Sequence, residues 1–221
     1  MLRLRFYVPV LTVAVLVASC SSTPYFTAEE EPWRDQAEIA CLNAGTVHES
    51  AFIEMQRSAL GGPSPCGAVR PFKVAAALGG YVSLKPSATL QCGMIPAIDR
   101  WMADVVQPAA HRHFGMGVVE AGVMSSYSCR PRNSEWGAKL SEHGHANAID
   151  IGDFRLADGR KITVLSGWNG AADEQAFLRE VRGGACGIFK TVLGPGSDRH
   201  HANHLHLDLA HHNRRGSSYC K

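Results

Sequence analysis

His200-His201-Ala202-Asn203-His204-Leu205-His206-Leu207-Asp208-Leu209 is the stretch whose pattern decides the architecture. Leu205, Leu207 and Leu209 alternate with His204, His206 and Asp208. Successive side chains of a strand point to opposite faces, so the leucines line a core and the polar trio lines the other side. Half-buried imidazoles and carboxylates need partners. A divalent metal would give the imidazoles one, and Asp208 could accept the far N–H of a ligating histidine.

Ser141-Glu142-His143-Gly144-His145-Ala146-Asn147-Ala148-Ile149-Asp150 supplies the complementary half. His143 falls in a loop. Asp150 falls in a strand over Ala148–Phe154, with Ile149 and Ile151 pointing the opposite way. Two histidines and one carboxylate are the donor set of catalytic rather than structural zinc. An HxH alone is common and usually structural or exposed; two such motifs on amphipathic strands carry more weight. His211 and His212 read as solvated.

Outward from these motifs, Tyr81–Leu84, Val118–Ala121 and Leu205–Leu209 read as further strands, and Asp173–Arg182 as a helix. Ile95–His113 is the clearest helix. Ile98, Trp101, Met102, Val105 and Ala109 share one face, Pro96 suits the first turn, Gly115 the stop, and Pro108 a kink or early end. A shorter helix is expected around Ala51–Leu60. Short strands irregularly interleaved with helices favour an α+β fold over a doubly wound parallel sheet.

The 221-residue chain is 45% apolar and 19% charged, a globular composition long enough for one core. Its formal net charge of +2 gives no sign of a nucleic-acid binder and is compatible with an anionic wall polymer. Arg3 and Arg5 precede an apolar run from Phe6 to Ala18. That run is shorter than the ~20 residues a spanning helix needs, and reads as a signal-peptide core. Val17-Ala18-Ser19-Cys20 resembles the bacterial lipobox, which implies acylation of Cys20 and a membrane lipid anchor. Ser21 after it implies the periplasmic side of the outer membrane. Plain secretion with cleavage near Ala18 is the alternative. The expected organisation is a signal peptide over 1–19, a tether over 20–35 and a folded domain over 36–221. The remaining Cys41, Cys66, Cys92, Cys129, Cys186 and Cys220 are expected in disulfides, with 15 pairings open.

Ser141, His143, Ala148 and Asp150 resemble the zinc signature of the LAS peptidases. That group holds D-alanyl-D-alanine carboxypeptidases, murein endopeptidases and the hedgehog signalling domain. The chain is most similar to the bacterial extensin-like C-terminal family, through Tyr127-Ser128-Cys129-Arg130, Ser141-Glu142-His143, Leu193-Gly194-Pro195-Gly196-Ser197-Asp198 and His204-Leu205-His206-Leu207-Asp208. The resemblance spans about Cys41 to Cys220. It implies a single hedgehog/DD-peptidase-like domain, with a small, mainly antiparallel sheet flanked by helices. It further implies Zn2+ held by His143, Asp150 and His206, with Ser141 and Asp208 supporting the ligands.

The implied substrate is a peptidoglycan peptide, cleaved in its cross-links or stems. Arg130 would face that substrate, with a structural ion pair beside Cys129 as the alternative. Many LAS peptidases carry a Glu where this chain has Asn203. The run His201, His204, His206 instead resembles the penicillin-insensitive murein endopeptidases, which makes His204 the expected base and His201 its support. Ala146 stands where the signature usually has Gly, so the loop could bring His145 closer to the metal. A D,D-carboxypeptidase and a catalytically inactive wall-binding lipoprotein are the rival functions.

Overall fold

The computed structural model describes residues 25–29, 31–61, 65–213 and 217–221. The expected signal segment and Cys20 lie outside the described residues. No helix among the described residues is long and apolar enough to cross a membrane.

Helix α1 (Trp33–Asn43) opens the fold, followed by strands β1 (Ile53–Met55), β2 (Phe72–Ala77) and β3 (Val82–Leu90). Helix α2 (Met94–Trp101) runs through a π-helical turn at Met102–Val106 into α3 (Gln107–Phe114). Strands β4 (Val118–Ser125), β5 (Ala148–Leu156) and β6 (Lys161–Thr163) come next, then helices α4 (Val164–Gly167) and α5 (Ala172–Ala185). Strands β7 (Thr191–Leu193), β8 (Leu205–Asp208) and β9 (Tyr219–Cys220) close the chain.

The strands form one nine-stranded sheet in the order β1-β2-β3-β4-β5-β8-β7-β9, with β6 beside β5. Among the strands of the described residues, β3–β4 and β7–β9 pair in parallel and the rest antiparallel. The fold is therefore α+β with a mainly antiparallel sheet, as expected, but the sheet is not small. The short or edge strands β1, β6, β7 and β9 are too brief to alternate visibly. The region expected to be a helix at Ala51–Leu60 is instead β1, where Ile53 and Met55 pair opposite Val74 and Phe72. Pairing with a buried neighbour has overridden local helix preference.

Strand β5 is the hub. From Asp150 to Leu156 it pairs with β4 on one side. On the other, residues 148–151 pair with β8 and residues 153–155 with β6. Ile149 and Ile151 of β5, with Leu205 and Leu207 of β8, enter one core. Trp101 sits in that core edge-on to Phe154 and Phe189, at 6.0 and 6.2 Å between ring centroids, and donates its indole N–H to the Val181 carbonyl at 2.9 Å.

The long helix keeps its direction but not its regularity. Pro108 has no N–H to give, and its ring would strike the carbonyl four residues back. The π turn at Met102–Val106 loosens the ladder ahead of it. Gly115 ends α3 in the left-handed region at φ 73°, returning its N–H to the His111 carbonyl.

The disulfides pair Cys41 with Cys92, Cys66 with Cys129, and Cys186 with Cys220. The first ties α1 to the start of α2. The second straps the chain before β2 to the loop that precedes His143.

Folded chain also begins before residue 36. Thr27 donates its N–H to Ala138 and accepts from Leu140, and α1 starts at Trp33. Two acidic residues of the expected tether are engaged: Glu29 pairs with Lys139 at 3.0 Å and Glu31 with Arg34 at 2.6 Å.

Arg34 reaches further, forking onto both oxygens of Glu142 at 2.6 and 2.7 Å. Glu142 is buried, and its carboxylate also accepts from the Asn147 side chain at 2.6 Å. This pair anchors the turn that carries His143. Removing one partner of a buried pair strands the other, which costs about 3–5 kcal/mol. Arg34→Ala is therefore expected to lower the unfolding free energy by that amount, read as a lower denaturant midpoint at unchanged slope. A loss below about 1 kcal/mol would mean that the pair behaves as a surface one.

Candidate metal centre

Asp150 and His206 stand directly opposite each other on antiparallel β5 and β8. Directly opposed residues project their side chains from the same face with Cβ atoms about 5 Å apart. The alternation that sends Ile149, Ile151, Leu205 and Leu207 into the core therefore sends Asp150, His206 and Asp208 to the opposite face. The third member arrives on a 3-10 turn, Glu142–His145. Ser141 caps that turn, its hydroxyl accepting from the His143 N–H at 3.4 Å. Ala146 closes it at φ 52°, in the left-handed region that favours Gly. Such a conformation costs a residue bearing a Cβ on the order of 1 kcal/mol.

The three side chains converge. His143 Nε2 lies 3.1 Å from Asp150 Oδ2 and 3.2 Å from His206 Nδ1. His206 Nδ1 lies 2.9 Å from Asp150 Oδ1. One donor atom from each residue falls within 4.8 Å of the others, and all three residues are buried. Behind them, each imidazole is held by its far nitrogen. His143 Nδ1–H donates to the Ser126 carbonyl at 2.5 Å. His206 Nε2–H donates to Asp208 at 2.9 Å. Asp208 is itself fixed by the Ala210 N–H at 2.9 Å. Because the outer nitrogens carry the protons, the inner ones turn lone pairs toward the carboxylate. Lone pairs facing each other at about 3 Å repel unless a cation or a proton lies among them. The residues present therefore fit a divalent cation.

Burial would push the Asp150 carboxyl up, but the His143 and His206 imidazoles hold it far below the usual carboxylate range. Burial also disfavours a charged His206. Asp150 and Asp208 outweigh it and raise that imidazole to about 10. Without metal, one proton thus sits among the three groups at neutral pH, and a cation must displace it. Metal binding at pH 7 is expected to release at least one proton per ion, so affinity falls about tenfold per pH unit of acidification. Calorimetric titration in buffers of differing ionisation enthalpy measures this. Metal uptake without proton release contradicts it.

The cluster forms the floor of a cavity of about 540 Å³ whose walls include Arg130, Arg132, Ser134, His200, His201 and His204. His204 Nε2 lies 3.6 Å from Asp150 Oδ1, and its Nδ1–H donates to the Asn203 side chain at 2.9 Å. His201 donates its Nδ1–H to Asp198 at 2.7 Å, and its ring stands 5.2 Å from that of His204. Burial lowers the pKa of both imidazoles. For His201 it prevails over the opposing Asp198 carboxylate, and for His204 over Asp150. Both present neutral rings to the cavity at pH 7. Arg130 also lines it, and donates to the Pro131 carbonyl across a long 3.4 Å contact.

The structure thus brings together every site residue expected from the sequence except Cys20, which lies outside the described residues. His145 does not approach the cluster. It lies in separate cavities beside Glu31 and Arg34, because residues two apart on a 3-10 turn project from different sides. Several contributors were missed. Ser126 acts through a backbone carbonyl, which has no sequence signal. Asn203 adjoins His204, and Asp198 lies two and three residues before His200 and His201; that proximity was the available clue. Exposed His211 and His212 are not merely solvated, since His211 stacks on Trp33 at 3.6 Å and His212 meets the Thr191 hydroxyl at 2.9 Å.

A family model, described as extensin-like protein C-terminus, matches residues 39–221. The chain belongs to the extensin-like protein C-terminus family. The match takes in both halves of the cluster and all three disulfides of this extensin-like domain. No curated protein and no solved structure matches the chain.

Proposed function

We propose that this extensin-like domain is a zinc metallopeptidase that cleaves peptide stems or cross-links of peptidoglycan. It would work as a lipoprotein anchored through Cys20 on the periplasmic side of the outer membrane, with a hedgehog/DD-peptidase-like ancestry. The observation that carries the reading is the convergence of His143 Nε2, Asp150 and His206 Nδ1, each imidazole clamped from behind, on the floor of a cavity. Bound here, zinc would supply Lewis acidity toward an amide carbonyl and activate water for attack.

The chain's own residues do the rest. His204, held by Asn203 with Nε2 turned inward, accepts the proton of the attacking water and returns it to the leaving amine. Asn203 itself cannot accept a proton, but it holds the His204 ring in place. His201, fixed by Asp198, backs His204 from the neighbouring wall. The Arg130 guanidinium on the cavity wall is suited to a substrate carboxylate or to the charge that develops on the carbonyl oxygen. No step involves nucleic acid.

Purified sacculi digested with the zinc-loaded chain, with and without chelator, test the reading. The expected result is loss of cross-linked fragments that chelator abolishes. Loss of terminal D-alanine alone would mean a D,D-carboxypeptidase. Intact sacculi would leave a wall-binding zinc domain without catalysis.

A further inference from the structure

Trp136 is 68% exposed, the most open large apolar side chain among the described residues, and Tyr25 beside it is 42% exposed. Their rings meet edge to face at 5.1 Å. The pair is built rather than incidental. Gly137 donates its N–H to the Tyr25 carbonyl at 3.0 Å, and Thr27 pairs with residues 138 and 140. The N-terminal segment is thus laced to the loop that carries Trp136.

That loop is a wall of the cavity above the metal cluster. Arg132, Asn133 and Ser134 line it. Asn133 and Ser134, both at φ 57°, then turn the chain outward. Glu135 stays at the rim, 3.5 Å from both Arg199 and His200 on the opposite wall. Trp136 follows Glu135 directly in the chain, two residues beyond the last of these wall residues.

We infer that Trp136, backed by Tyr25, is a stacking platform for a sugar ring of the glycan strand whose peptide stem enters the cavity. The inference rests on the peptidoglycan reading for its choice of polymer. A pyranose offers an apolar C–H face edged by hydroxyls. A rigid exposed indole provides matching apolar area at little entropic cost, and Arg132, Asn133 and Ser134 supply polar groups alongside. The arrangement fits a lipid surface less well. Glu29 and Glu135 close by pair with Lys139 and Arg199 and offset their charge, whereas interfacial aromatics favour a basic surround.

The test is sedimentation binding of the full chain to peptide-free glycan strands, prepared by amidase treatment of sacculi. Phospholipid vesicles, neutral and anionic, form a second arm. Wild type is expected to bind the strands. Trp136→Ala should weaken binding about tenfold, and Trp136→Tyr should restore most of it. Equal binding by wild type and Trp136→Ala overturns the inference, as does absence of glycan binding or Trp136-dependent binding confined to vesicles. Because these strands carry no peptide bond, the outcome is independent of hydrolysis. Trp136-dependent glycan binding by a chain that leaves sacculi intact would sink the peptidase reading and not this one.

Discussion

Asp150→Ala is expected to leave a folded protein that no longer holds stoichiometric zinc. Asp150 is the only anion among the three converging donors, and it faces both imidazoles at 2.9–3.1 Å. Without it, two neutral nitrogens remain, and no ligating anion offsets the charge of a dication in a buried site. The loss should exceed the roughly 10–100-fold that follows removal of a supporting partner behind a ligand. Asp150→Asn keeps the volume and removes the charge, so it should lose zinc as well while sparing the sheet. Metal analysis after gel filtration, with a thermal melt to show the fold, measures both variants. One zinc per chain in folded Asp150→Ala would overturn the ligand assignment.

His204→Ala separates binding from chemistry. His204 Nε2 is 3.6 Å from Asp150, but the ring is held by Asn203 at the edge of the cluster and stands outside the converging trio. Zinc content should therefore stay at the wild-type level. Sacculus hydrolysis should fall by about 10²–10⁴, the usual contribution of a positioned acid–base group. Because His201 stands beside it on its own Asp198 partner, the residual rate should depend on His201. Unchanged hydrolysis in His204→Ala would remove this residue from the proton path.

The two strands that carry the cluster were legible because the physics acting on them is local. Ile149 and Ile151, and Leu205 and Leu207, alternate with polar residues, and alternation fixes the face each side chain takes. The placement of Asp150 opposite His206 was not legible, since register between strands more than fifty residues apart is a tertiary outcome. The same holds for β1, whose three residues carry no period, and for the Arg34–Glu142 pair, which joins a segment read as a tether to the turn bearing His143. The π turn could be anticipated only as a disturbance at Pro108. The disulfide pairing, one of fifteen on paper, needed the fold to bring Cys41 to Cys92 and Cys66 to Cys129.

X-ray absorption at the zinc edge, on the full chain given one equivalent of zinc, addresses the central claim most directly. The predicted spectrum has an inner shell of nitrogen and oxygen near 2.0–2.1 Å with two imidazoles, reduced to one in His206→Ala. A shell without imidazole, or one unchanged by His206→Ala, would contradict a metal centre built from His143, Asp150 and His206.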